Sequence, residues 1–267
     1  MIMDNVRLKS FLEGMYYVYA RRKLIYPDPL YFLYNYEDLR DREVVGLITS
    51  SLAYGRVAQI MKSSERVLAC LGSKPREFLL KHGGEDIVPS SFKHRFTTSA
   101  DMNNYLNNIS GVLREYGSIE LFLGECLKSS GGKLLSALDK FAARLSRNKA
   151  EGAFSLITAP KDGSACKRIM MYLRWLVRSD EVDPGGWEIL KPSELFVPLD
   201  IHMYRMSEQL GLTCRKNIDI QTVQQVTSCY KNILLIDPVK YDFPLTRLGI
   251  RHLKLYHFLP NNQSLIL

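Results

Sequence analysis

Helical periodicity dominates this chain and sets the strongest limit on its fold. Apolar side chains recur every three or four residues within residues 4–24, for example at Leu8, Leu12 and Met15. Similar segments cover residues 42–53, 57–70, 99–116, 118–128, 132–147, 165–178, 200–211, 219–233 and 238–249. Residues 83–98 are polar and indicate a surface loop, and no segment with the period of a strand stands out. The pattern predicts an all-α fold of about ten helices.

Several helix ends can be assigned from residue types. Asp41 is expected to cap the helix that follows it, and Asp237 with Pro238 is expected to begin the last helix. Gly72 and Pro75 are expected to end an early helix pair.

The composition favours a basic protein of the cytoplasm. The net charge of +8 makes nucleic acid the leading class of partner, although a merely basic soluble protein remains the alternative. No apolar run is long enough to span a membrane, and no signal peptide is recognised. The five cysteines are widely spaced, which predicts free thiols and no metal site.

A basic helix beginning near residue 165 carries the first candidate binding surface. Lys167, Met171, Arg174 and Arg178 recur at intervals of four, three and four residues, so they share one helix face. This face is predicted to turn a cationic stripe toward an anionic partner, and a solvated charged face is the alternative. Glycine and serine at the preceding turn would leave the first helix amides free to bind phosphate.

Lys167 and Asp200 are the candidate catalytic pair. A lysine attacks an electrophile only as the neutral amine, which burial or nearby positive charge favours. Asp200 follows Pro198 and precedes a helical segment, so it is expected to cap that helix. A carboxylate held in this way could also stabilise a developing sugar cation. By residue type alone, a surface lysine and an ordinary cap are the alternatives.

Two motifs carry a resemblance to a known superfamily. Lys167 follows a glycine-containing hairpin, and the segment Val197-Pro198-Leu199-Asp200-Ile201-His202-Met203 follows later in the chain. Together they resemble the helix-hairpin-helix superfamily of base-excision DNA glycosylases, on the side of the 8-oxoguanine glycosylases. The interval between Lys167 and Asp200 is similar to that of the archaeal 8-oxoguanine group. The whole chain resembles a bacterial family of uncharacterised proteins assigned to that superfamily.

The resemblance implies a role for each candidate residue. Lys167 would attack the sugar C1′ to release a base, Asp200 would be the essential carboxylate, and a Schiff base would permit strand cleavage. The residues expected to bind DNA are Gly163, Ser164, Arg168, Arg174, Arg178, His202, Tyr54 and Arg56. Tyr54 and Arg56 would lie near the wedge that extrudes the base, or would form a helix kink. Tyr241, Asp242 and Phe243 would line the base pocket.

The chain also departs from the superfamily pattern. Pro160-Lys161-Asp162-Gly163-Ser164 replaces the usual Leu-Pro-Gly-Val-Gly hairpin, which affects the expected phosphate contact. The cysteines that bind an iron–sulfur cluster in the endonuclease III branch are absent from their expected spacing, which favours the 8-oxoguanine side.

The sequence therefore predicts one glycosylase-like unit over residues 1–267. A helical subdomain would cover residues 30–150, the hairpin and catalytic helices residues 151–211, and residues 1–29 would pack with 212–267. The expected protein is a monomeric, cofactor-independent DNA repair enzyme, a glycosylase with AP-lyase activity on an oxidised purine in double-stranded DNA. A non-catalytic nucleic-acid-binding protein on the same fold and a protein-interaction adaptor are the alternatives.

Overall fold

The computed structural model describes residues 5–149 and 154–250, and these residues are mostly helical. The helices are α1 Asn5–Tyr19, α2 Leu39–Ser51, α3 Val57–Leu71, α4 Pro75–His82, α5 Ser99–Tyr116, α6 Ile119–Lys128, α7 Leu134–Leu145, α8 Lys167–Val177, α9 Ile201–Gln209, α10 Ile220–Ile233 and α11 Asp242–Ile250. Short 3-10 helices cover Arg22–Leu24, Pro29–Asn35, Pro160–Asp162 and Pro192–Glu194. The expected all-α class is confirmed.

Two helix starts differ from the sequence-based expectation. Asp38, and not Asp41, caps α2, because its carboxylate accepts the backbone N–H groups of Arg40 and Asp41. Asp41 instead accepts the backbone N–H of Arg76 at 2.8 Å, in the first turn of α4. Pro75 therefore begins a helix that was not predicted, as proline can at the first helical position.

Two further differences concern segments beside the cavity described below. Residues 83–98, expected to be a loop, end in a hairpin of two short antiparallel strands, β1 Lys93–His94 and β2 Thr97–Thr98. The last helix begins at Asp242, four residues later than the predicted start at Pro238. Asp237 binds Arg178 instead of capping that helix.

Helix α2 lies at the centre of the packing. Every residue from Val44 to Ser51 is buried, and α2 packs against α4, α6 and α8. Gly46 permits close contact with α8, since a Cβ atom there would lie 3.2 Å from the ring of Tyr172. Helix α1 packs against α10 and α11, and α9 packs against α11. This arrangement brings the first turns of α8, α9 and α11 to one cavity.

None of the helices in the described ranges has the length and apolar character needed to cross a bilayer. The proposed subdivision into subdomains stays a prediction.

Candidate active site

A cavity of about 320 Å³ opens where the first turns of three helices meet the α2–α3 loop. Its walls also include the proline-rich segment that precedes the second 3-10 helix. The lining residues are Pro27, Asp28, Pro29, Ala53, Gly55, Val57, Ile60, Lys167, Met171, Arg174, Pro198, Asp200, His202, Asp242, Phe243, Thr246 and Arg247. Both predicted catalytic residues therefore line the same cavity, together with four of the other predicted site residues, Arg174, His202, Asp242 and Phe243.

Lys167 is the first residue of α8 and is half-buried in the cavity wall. Its Nζ lies 3.4 Å from the carbonyl oxygen of Ala53, at the long end of hydrogen-bonding distance. Within the described ranges, no carboxylate forms an ion pair with this amine. The amine is thus held by a neutral carbonyl group, which leaves it available to a ligand.

Asp200 caps α9, as the sequence predicted. Its Oδ1 accepts the backbone N–H groups of His202 and Met203, both at 2.9 Å. The cap fixes the carboxylate orientation with one oxygen and leaves Oδ2 outside the cap. The segment before it is anchored by the backbone N–H of Val197, which donates to Thr227 Oγ1 at 3.1 Å.

Asp242 contributes a second carboxylate, and it is buried. Its Oδ2 accepts a hydrogen bond from Arg174 Nη1, whereas its Oδ1 is buried without a hydrogen-bond partner. Burial raises the pKa of Asp242 to about 6; the charge of Arg174 opposes this rise and the nearby carboxylate of Asp200 adds to it. A ligand that donates a hydrogen bond would satisfy the unpaired Oδ1.

The predicted cationic stripe along α8 does not face solvent, and this expectation is corrected. Arg174 and Arg178 are 4% and 5% exposed, respectively. Arg178 binds Asp180, Asp183 and Asp237, while Arg174 binds Asp183 as well as the cavity carboxylate. Burial opposes the charge of Arg178, but its three carboxylate partners outweigh that effect and raise its pKa. Buried guanidinium groups need such partners, so the helix turns this face inward.

Arg168 is half-buried, and contacts within the protein also hold its side chain. Its guanidinium donates to the backbone carbonyl oxygens of Ser51 and Ser155 and lies over the rings of Tyr54 and Phe154, 5.3 and 5.2 Å from their centroids. Burial lowers its pKa. Arg168 therefore joins the segment at Ser155 to the C-terminal end of α2, and its predicted contact with DNA stays a prediction.

The hairpin residues Gly163 and Ser164 lie outside the cavity lining. Gly163 has a positive φ of 78°, and its N–H donates to the Pro160 carbonyl oxygen, which closes the turn. Ser164 Oγ bonds within the hairpin, donating to Thr158 Oγ1 and accepting the Cys166 N–H. The contact of these two residues with phosphate stays a prediction. Gly163 is exposed on the protein surface.

Of the three predicted base-pocket residues, Asp242 and Phe243 line the cavity and Tyr241 does not. Tyr241 is fully buried and its hydroxyl donates to Glu13 at 2.7 Å, so its placement in the pocket is corrected. Trp187 is a core residue, and its indole N–H donates to the carboxylate of buried Glu43.

Two charged lining residues were not predicted from the sequence. Arg247 donates to Asp28 at 2.6 Å and lies over the ring of Phe243, 4.5 Å from its centroid. Asp28 belongs to the Pro27-Asp28-Pro29 segment, in which the prolines indicate a helix break but no function for the carboxylate. Because Asp28 and Arg247 lie far apart along the chain, their pairing could not be predicted from the sequence.

Comparison with known proteins places the chain in a family. No curated protein and no solved structure matches it. The family model described as "Protein of unknown function (DUF2400)" matches residues 28–251, which include every residue that lines the cavity except Pro27. The chain belongs to the family described as "Protein of unknown function (DUF2400)".

Proposed function

We propose that the protein is a DNA glycosylase with AP-lyase activity that removes a damaged base through the amine of Lys167. The observation that supports this most is the shared cavity of Lys167 and Asp200, which come from the starts of two different helices. The proposal also draws on the resemblance of the two motifs that contain these residues to the glycosylase superfamily.

The proposed reaction uses the amine as a nucleophile. The Nζ lone pair forms a bond to the sugar C1′ while the N-glycosidic bond breaks, and its electron pair leaves with the base, which takes up a proton. Asp200 stabilises the positive charge that develops on the sugar. One amine proton is then lost, the C1′–O4′ bond breaks, O4′ takes up a proton, and the new double bond between C1′ and Nζ forms a protonated Schiff base. Removal of a C2′ proton then expels the 3′ phosphate by β-elimination.

The base would occupy the part of the cavity between α8 and α11. A volume of about 320 Å³ lies within the range of roughly 300–1,000 Å³ typical of small-molecule sites. Phe243 offers an aromatic surface there, and Asp242 Oδ1 offers an unpaired acceptor for an N–H group of the base. An oxidised purine such as 8-oxoguanine supplies such donors on its edge, so it is the first substrate to test.

Sodium borohydride trapping tests the reaction directly, because it reduces the Schiff base to a stable adduct. Duplexes carrying 8-oxoguanine, an abasic site or no lesion would be incubated with wild type, Lys167→Gln and Asp200→Asn. Lys161→Gln is the matched control, since it removes an exposed lysine of the neighbouring turn that does not line the cavity. We expect a lesion-dependent adduct in wild type and the control that Lys167→Gln abolishes.

Other outcomes would contradict the proposal in different ways. An adduct that persists in Lys167→Gln would identify another amine as the nucleophile. A wild-type protein that forms no adduct on any lesion but binds DNA in a salt-sensitive manner would be a non-catalytic DNA-binding protein.

A further inference from the structure

An exposed phenylalanine stands at the tip of the β1–β2 hairpin. Phe96 is 63% exposed, although phenylalanine is ordinarily among the more buried residue types. It shares a two-residue turn with Arg95, whose φ of 52° lies in the left-handed region. Glycine is the usual residue at such a position, so a bulky arginine there costs conformational energy. An unfavourable turn that carries an exposed aromatic side chain points to a contact with a ligand.

Hydrogen bonds anchor the β1–β2 hairpin to the rest of the protein. The Tyr54 hydroxyl bonds to the His94 carbonyl oxygen at 2.9 Å and to Thr97 Oγ1 at 2.6 Å. The buried His94 ring bonds to Ser63 Oγ at 2.9 Å and to the Tyr54 carbonyl oxygen at 3.1 Å. Both strands of the hairpin are thus fixed to the α2–α3 region, which pre-organises the tip.

Aromatic packing continues this support up to the tip. The ring of Phe154 lies between those of Tyr54 and Phe96, with centroid distances of 4.6 and 5.6 Å. The guanidinium of Arg168 lies over the rings of Tyr54 and Phe154. Arg168 follows Lys167 directly in the chain. The hairpin and the candidate nucleophile are therefore joined through one packed cluster.

Arg95 connects the tip to the cavity. Its side chain crosses Gly55, where a Cβ atom would lie only 2.6 Å from Arg95 Cδ. Gly55 lines the cavity, so the tip stands beside the cavity opening. Within the described ranges, Arg95 has no carboxylate partner, and its guanidinium instead lies 5.4 Å from the Phe96 ring centroid. An exposed aromatic ring beside a free cation suits the stacked bases and phosphates of a nucleic acid.

We propose that Phe96 inserts into a DNA duplex next to the position that a nucleotide leaves when it moves into the cavity. There the Phe96 ring stacks on the neighbouring base that this movement exposes. This inference rests on the proposed function and identifies the substrate as double-stranded, since a single strand offers no paired stack to open. Apolar side chains inserted between base steps offset part of the cost of unstacking. Phe96 is then a positioning residue, and the chemistry itself does not require it.

The test compares a duplex, whose base stack must be opened, with a single strand, which has no paired stack. Phe96→Ala, Phe96→Leu and wild type would be assayed on a duplex with 8-oxoguanine and on a single strand with an abasic site. We expect Phe96→Ala to lower the rate on the lesion duplex by about tenfold or more, within the range for loss of one base–aromatic stack, and to leave adduct formation on the abasic single strand unchanged. Phe96→Leu should restore much of the duplex rate. Tyr17→Ala is the matched control, because Tyr17 is also exposed and lies next to an arginine but belongs to α1 and not to the β1–β2 hairpin.

A second measurement does not depend on catalysis. The duplex would carry a stable abasic analogue with 2-aminopurine as the adjacent base, and fluorescence would report its stacking on binding. We expect a change with wild type and Tyr17→Ala that Phe96→Ala lacks at saturating protein. Equal rates of Phe96→Ala and wild type on the lesion duplex, an equal loss on every substrate, or the same fluorescence change would overturn the inference. If wild type forms no adduct at all, the proposed function fails, and the fluorescence result alone decides whether Phe96 inserts.

Discussion

Asp242 and Arg174 form a buried ion pair in the cavity wall that uses only one of the two carboxylate oxygens. Arg174 binds Oδ2 and also Asp183, while Oδ1 of Asp242 is buried without a partner. An unsatisfied buried acceptor costs about 1–3 kcal/mol in an empty site. A ligand that donates a hydrogen bond to Oδ1 would recover that cost. The arrangement therefore lowers the stability of the empty protein and favours ligand binding.

The raised pKa of Asp242 predicts a specific dependence of stability on pH. In the folded protein this carboxyl holds its proton up to about pH 6, whereas its ordinary pKa is 3.8. Between these values the folded state binds more protons, so the free energy of unfolding decreases as pH rises. The difference between wild type and Asp242→Asn should therefore change by on the order of 2 kcal/mol between about pH 4 and pH 6 and become constant above about pH 7. Urea denaturation at a series of pH values measures it, and a difference independent of pH would contradict the assignment.

Two substitutions of Asp200 separate its cap from its charge. Asparagine keeps an oxygen that can accept the N–H groups of His202 and Met203, whereas alanine removes it. We expect Asp200→Asn to retain the stability of wild type within about 0.5 kcal/mol, and Asp200→Ala to lose about 1 kcal/mol. Both should lose borohydride trapping, because both lack the carboxylate. An Asp200→Asn protein with full trapping activity would restrict Asp200 to the cap.

The burial of Arg178 predicts a loss of stability that a DNA-facing arginine would not cause. Arg178→Ala removes the cation that binds Asp180 and Asp237, and one of the two cations that bind Asp183, which should lower the free energy of unfolding by roughly 3–5 kcal/mol. Arg178→Lys keeps the charge and should lose less. The control Arg56→Ala removes an exposed arginine and should stay within about 0.5 kcal/mol of wild type. Chemical denaturation compares the three, and a stable Arg178→Ala would contradict the buried network.

Arg56 is the better candidate for a phosphate contact. It is exposed between Gly55 and Val57, both of which line the cavity. If it binds a phosphate, Arg56→Gln should reduce the slope of log affinity against log salt by about 1. Fluorescence anisotropy with a labelled duplex at several salt concentrations measures the slope. Lys74→Gln, which removes an exposed cation paired with Glu77, should leave it unchanged.

The sequence was informative where one residue type decides the local structure. Lys167 and Asp200 could be placed at helix starts because glycine, proline and aspartate mark those ends, and the periodicity of α5 and α10 gave their bounds closely. Helix periodicity also placed Arg174 and Arg178 on one face, correctly. It could not show which way that face points, because the carboxylates that bury it come from residues 180–183, 237 and 242.

The same limit explains the other differences. Asp38 and Asp41 are both acceptable caps, and only the contact of Asp41 with Arg76 in α4 decides between them. The β1–β2 hairpin has two residues in each strand, too few to display a strand period. Its position beside Gly55 depends on contacts between segments about forty residues apart.

Tyr54→Phe tests whether the support beneath the hairpin matters to function. The substitution keeps the ring against Phe154 but removes the hydroxyl bonds to His94 and Thr97, whose partner atoms lie in a buried environment. We expect a loss of stability of about 1–2 kcal/mol. The rate on the lesion duplex should also fall, because a looser hairpin presents Phe96 less well, while trapping on an abasic single strand should persist. Tyr36→Phe is the control, since its hydroxyl also donates to a backbone carbonyl, that of Gly72, at 3.4 Å and away from the cavity lining. A Tyr54→Phe protein that is destabilised but cleaves the lesion duplex at the wild-type rate would show that hairpin rigidity does not contribute to base extrusion.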